Sequence, residues 1–181
     1  MVNVFGGTPV GAFGGAVLTL LLVAACMSDL RSRRIPNALV LGLLIGGVGY
    51  SLATKAPLAA LEHAFAGMAV GLGIWLPFWM LRVLGAGDVK LIAASGAWLG
   101  AAAVVEASLL GAVAGGFLAL WALARHGGWA AGARRFGAWI LASRMTGTVF
   151  PELTPQHRRI PYGLAIAAGV AVAAWLPGLI W

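Results

Sequence analysis

Five side chains in this 181-residue sequence carry a carboxyl group, and two of them stand where acids could act together. Asp29 lies in Met27-Ser28-Asp29-Leu30-Arg31, at the end of one apolar run. Asp88 lies in Gly85-Ala86-Gly87-Asp88-Val89-Lys90, at the start of another. Two carboxyls brought close cannot both ionise easily, so they share a proton. One can then act as general base towards a water while the other acts as general acid towards a carbonyl oxygen. Such a pair titrates as a unit. The remaining acids, Glu62, Glu106 and Glu152, have no comparable setting.

Neighbouring residues suit the same use. Gly85 and Gly87 let the backbone bend and approach a substrate closely. Asp88 would open a helix whose dipole favours negative charge there. Ile35-Pro36-Asn37 follows a short basic loop, and Pro36 suits a first helical turn. Lys90 reads as an interface anchor. Plainer readings stand beside these: Asp29 as a loop charge paired to Arg31, Arg33 or Arg34, and Asp88 as an ordinary N-cap. His63, His126 and His157 are scattered, with no Cys or acid at ligand spacing, so no metal is expected. No Gly-x-Ser-x-Gly elbow supports a serine nucleophile.

The elements that must position these acids are membrane helices. Hydrophobic residues make up 61% of the chain and charged residues 9%, against roughly 25% charged in a soluble domain. Surface this apolar must face lipid. Six apolar segments, at about 10–28, 38–54, 58–81, 89–105, 107–124 and 161–180, are long enough to cross a core of about 30 Å. Backbone satisfaction in lipid makes them helical. The expected fold is all-α, a single domain over 1–181 built as a bundle of six transmembrane helices. The fourth and fifth segments are separated by little more than Glu106, which predicts a tight hairpin there.

Charge orients the bundle. With six crossings, Arg31, Arg33, Arg34, Arg82, Lys90, Arg125, Arg134, Arg135, Arg144, Arg158 and Arg159 fall on one side, and only Lys55 on the other. The positive-inside rule puts that basic side in the cytoplasm and both termini outside. The net charge of +7 is thus read as topology, and no nucleic-acid partner is expected. In the cytoplasmic loop 125–160, Trp129, Ala133, Phe136 and Ile140 recur at helical spacing, which predicts an amphipathic helix on the membrane surface. Val23-Ala24-Ala25-Cys26 imitates a lipoprotein cleavage box, but residues 1–22 hold no Lys or Arg to form a signal-peptide n-region.

Together these motifs resemble the type IV prepilin peptidases, the bacterial branch of the Gly-x-Gly-Asp membrane aspartic proteases. Asp29 precedes Ile35-Pro36-Asn37; Gly85-Ala86-Gly87-Asp88-Val89-Lys90 matches the signature motif; Arg159-Ile160-Pro161-Tyr162-Gly163-Leu164-Ala165 looks like the last-helix motif, with Leu164 where a second proline is usual. The resemblance spans about residues 15–175. It implies catalytic aspartates at 29 and 88, positioning roles for Gly85, Gly87, Lys90, Ile35, Pro36 and Asn37, and a last-helix motif carried by Pro161, Tyr162 and Gly163. It implies a substrate that is a prepilin or pseudopilin, whose basic leader is removed at the cytoplasmic face of the bacterial inner membrane, in support of type IV or Flp pilus assembly or secretion. No metal or organic cofactor is implied. Larger members also methylate the new N-terminus through a domain with paired Cys-x-x-Cys motifs. With Cys26 alone, this chain looks like the short, peptidase-only Flp/Tad form, and methyltransferase activity is not expected. Three other readings use the same acids or none: a related membrane aspartic protease with another substrate, a small proton-coupled transporter, and a non-catalytic assembly scaffold. Oligomeric state is not legible in the residues.

Overall fold

The computed structural model describes residues 10–32, 35–81, 84–126 and 162–176. Five helices account for most of them: α1 (Ala12–Ser32), α2 (Asn37–Thr54), α3 (Pro57–Met80), α4 (Ala86–His126) and α5 (Tyr162–Trp175). There is no strand among the described residues. The amphipathic helix expected in 125–160 and the motif residue Pro161 lie outside them. Residues 1–115 and 161–181 form one compact unit, and 116–160 form another, whose described part is the end of α4. The site belongs to the first unit.

Four helices, α1 to α3 and α4 over residues 86–118, are long and apolar enough to cross a membrane, and α5 is a shorter apolar helix. Their outward faces are lipid-compatible: Phe13 is 80% and Leu58 81% exposed. In water, apolar surface on this scale would drive association. Proline sits where helices begin. Pro36 is the N-cap of α2, and its carbonyl accepts from the Leu39 and Val40 N–H groups. Pro57 opens α3.

The largest departure from sequence expectation is in α4. The predicted hairpin was to turn at Glu106. Instead the helical dihedrals break at Gly100, with φ 77° and ψ 177°, and Glu106 is buried within the following arm. The Ile92 carbonyl oxygen and Val104 Cγ2 lie 3.1 and 3.2 Å from the point where a Cβ on Gly71 would stand. In a straight helix those two residues would be about 18 Å apart along the axis. The chain therefore folds back at Gly100. A positive φ favours glycine, and the His63 ring occupies the space that a Cβ at 100 would take. A charged residue suggested a water-exposed turn, but local backbone geometry set its position.

Helix packing uses small residues throughout, as expected where lipid offers no hydrophobic drive between helices. α3 crosses the first arm of α4 with Gly67 and Gly96 in backbone contact, since a Cβ on either would strike the other's carbonyl oxygen. Gly169 of α5 packs against the backbone of Ala107 and Gly111. Aromatic donors lock the remaining pairs. The Trp98 indole donates to the Leu43 carbonyl at 2.7 Å, and Tyr50 stacks on Trp98 at 5.5 Å. The Trp175 indole donates to Thr19 Oγ1 at 3.0 Å, fixing α5 against α1. These contacts set α1 and α5 antiparallel, so the C-terminal end of α1 meets the N-terminal end of α5.

Candidate active site

Asp29 comes from the last turn but one of α1, and Asp88 from the first turn of α4. Both are half-buried. Gly163, the second residue of α5, lies between them and is itself buried. A Cβ built on Gly163 would stand 3.1 Å from Asp29 Oδ2 and 3.4 Å from Asp88 Oδ1. The two carboxyl oxygens are thus no farther apart than those two distances laid end to end. A side chain at 163 would press on both acids, more closely on Asp29.

Each acid is also held by its own surroundings. Asp88 Oδ2 accepts from the Gly85 N–H at 3.2 Å, while the Asp88 N–H donates to the Gly85 carbonyl at 3.1 Å. This reciprocal pair orients the side chain at the helix start. The plainer N-cap-like role and a place beside Asp29 are therefore compatible. Next to Asp29, the Cys26 thiol lies 3.9 Å from the Gly163 carbonyl oxygen.

The other sequence-selected residues gather at the same end of the bundle. Ile35 packs on Gly87, its Cβ 3.4 Å from where a Gly87 Cβ would be. Ile35 is thus in van der Waals contact with the Gly87 backbone on that side. The Lys90 ammonium donates to Asn37 Oδ1 at 3.3 Å in an exposed contact, so Lys90 ties the start of α4 to the start of α2. Pro36 sits between these two contacts as the α2 cap. Tyr162 packs edge-on against Trp75, with ring centroids 6.1 Å apart. Among the described residues no three His, Cys, Asp or Glu side chains gather as a metal site would require.

Two features of this region were not read from the sequence. One is the position of Gly163 between the acids, which depends on α5 packing against α1 across more than a hundred residues. The other is an apolar cavity of about 330 Å³ between α3 and α4, with Trp75, Ser108 and Tyr162 in its wall. A tryptophan in an apolar helix carries no local sign of lining a cavity.

A sequence profile of the type IV leader peptidase family matches residues 16–120, more than half of the chain. The chain is also similar to three curated relatives, each called a prepilin leader peptidase/N-methyltransferase. The Klebsiella pneumoniae protein is 38% identical over 104 residues, covering 54% of this chain and 45% of its own length. The Burkholderia pseudomallei (strain 1026b) protein is 36% identical over 125 residues, 64% of this chain and 39% of its own length. The Aeromonas hydrophila protein is 35% identical over 117 residues, 61% of this chain and 40% of its own length. The chain spans less than half the length of these relatives. No solved structure matches.

Proposed function

The chain belongs to the type IV leader peptidase family, and from that premise we propose that it is a membrane aspartic endopeptidase that removes the basic leader from prepilins or pseudopilins. The observation that carries this reading is the approach of Asp29 and Asp88 to one point at Gly163. A scaffold has no use for two half-buried acids that close together, because their mutual repulsion is unfavourable unless a proton is shared. A transporter site would favour acids near the bilayer centre, whereas these stand at helix ends. We extend to this chain the peptidase part of its relatives' name, the part that the matching family profile describes.

In the proposed mechanism a water is held between the two carboxyl groups. The ionised carboxylate takes a proton from this water as its oxygen attacks the scissile carbonyl carbon. The protonated carboxyl gives its proton to the carbonyl oxygen. Collapse of the tetrahedral gem-diol breaks the C–N bond: the departing nitrogen receives a proton from the acid formed in the first step, and one gem-diol hydroxyl returns its proton to the other carboxylate as the carbonyl re-forms. The pair then returns to its shared-proton state. Assistance of this kind contributes about 10²–10⁴-fold. The Gly85 N–H bond to Asp88 and the close packing at Gly163 hold the two groups in register.

The membrane arrangement that serves this chemistry has six crossings, the two arms of α4 counting separately, with both termini outside. The carboxyl pair then lies at the cytoplasmic face, where the substrate's leader is presented while its apolar helix stays in the bilayer. The eleven-to-one charge split supports this orientation. Co-expression with a prepilin tests the assignment. Wild type should convert precursor to the mature form, and Asp29→Asn and Asp88→Asn should each leave it uncut while inserting normally. Processing by either variant at near wild-type rate rejects the carboxyl pair.

A further inference from the structure

The cavity between α3 and the second arm of α4 is built beside the carboxyl pair. Two residues of its wall are chain neighbours of site residues. Leu84 precedes Gly85, whose N–H binds Asp88, and Tyr162 precedes Gly163, which the two acids flank. Two of its polar groups are paired internally. The Trp75 indole N–H donates to Ser108 Oγ at 2.9 Å, and Ser108 donates on to the Val104 carbonyl at 2.7 Å. The wall therefore presents ring faces and methyl groups. Phe78 and Leu109, both in its wall, are each 45% exposed on the apolar surface of the bundle. Its volume of about 330 Å³ is at the lower end of the roughly 300–1,000 Å³ typical of ligand pockets. That holds a side chain or two, not a helix.

We propose that this cavity is a substrate subsite that takes a bulky apolar side chain from the membrane-embedded stretch just beyond the cut, with Trp75 and Tyr162 setting its shape. The inference rests on the peptidase reading. A substrate cut at the carboxyl pair is polar on its leader side and apolar on its membrane side, and only the apolar side matches this wall. The exposed wall residues Phe78 and Leu109 are where such a side chain would enter from lipid.

The test couples enzyme and substrate changes. Ala112 lines the cavity and is exposed, so Ala112→Phe should fill it without disturbing the core; Leu109→Ala should enlarge it. Each is assayed in detergent on a prepilin that wild type cleaves, and on versions in which the first apolar residues after the cut are changed to Ala one at a time. At one position, the bulky-to-Ala ratio of kcat/KM should fall about tenfold or more in Ala112→Phe, the scale set by a lost apolar pocket contact. In Leu109→Ala the same position should accept Trp better than wild type does. If both variants change all substrates by the same factor, or none, the cavity takes no substrate side chain and holds lipid instead. In that case Asp-dependent cleavage persists and the peptidase reading stands. If wild type cleaves no prepilin, both readings fall.

Discussion

Carboxyl oxygens 3.1 and 3.4 Å from a single backbone point leave little freedom for what lies between them. Gly163→Ala would place a methyl group there. We expect it to push the Asp29 carboxyl aside by a few tenths of an ångström and to lower kcat, by less than the roughly 10²-fold that a misplacement of about an ångström costs. The protein should still insert and keep its thermal stability, and cleavage kinetics in detergent check this. Gly116→Ala, where nothing lies within 4 Å of a built Cβ, is the matched control. The proposed sharing of a proton also gives a pH signature. At low pH both carboxyls are protonated and the base is lost; at high pH both are ionised and the acid is lost. The kcat/KM profile should therefore be bell-shaped, with its two limbs belonging to the pair and to neither residue alone. A flat profile through the acid range would argue against a working pair.

At the scale of elements, the helices approach closely because glycines let their backbones meet. Gly67→Ala should force α3 from the first arm of α4 and destabilise by about 1–3 kcal/mol, the usual cost of overpacking. Gly73→Ala, on the same helix with open space around it, should stay within about 0.5 kcal/mol of wild type. Gly100→Ala combines a positive φ with collision against His63 and should cost at least the roughly 1–3 kcal/mol of a strained residue. Thermal unfolding in one detergent ranks all three. The site is coupled to this packing. Asp88 opens the arm that ends at Gly100, so a shift of the hairpin moves the acid that it carries.

At the scale of the whole molecule, the question is which ends share a membrane face. The contacts of Lys90 with Asn37, of Ile35 with Gly87 and of Gly163 with both acids put the end of α1, the starts of α2, α4 and α5, and their motifs at one end of the bundle. His63 and Gly100 lie together at the opposite end. In a Cys26→Ala background, a cysteine at Lys55 should be labelled by an impermeant reagent from outside the cell. A cysteine at Ala86 should be protected until the membrane is opened. Labelling of both from the same side would overturn the proposed topology.

Composition alone determined that the chain forms apolar helices, because a backbone in lipid must satisfy its own hydrogen bonds. Residue types and order also singled out Asp29, Asp88 and the glycines around them, because few acids occur in so apolar a chain and those two stand at helix ends. The hairpin was misplaced at Glu106, since charge is visible in a sequence and a positive φ at Gly100 is not. That Gly163 lies against both acids, that Ile35 packs on Gly87, and that Trp75 and Tyr162 wall a cavity next to the site were decided by tertiary packing. Each depends on which faces of distant helices meet. In a chain apolar on nearly every face, hydrophobic periodicity cannot tell a lipid-facing side from a buried one, so only the close contacts of the folded bundle settle it.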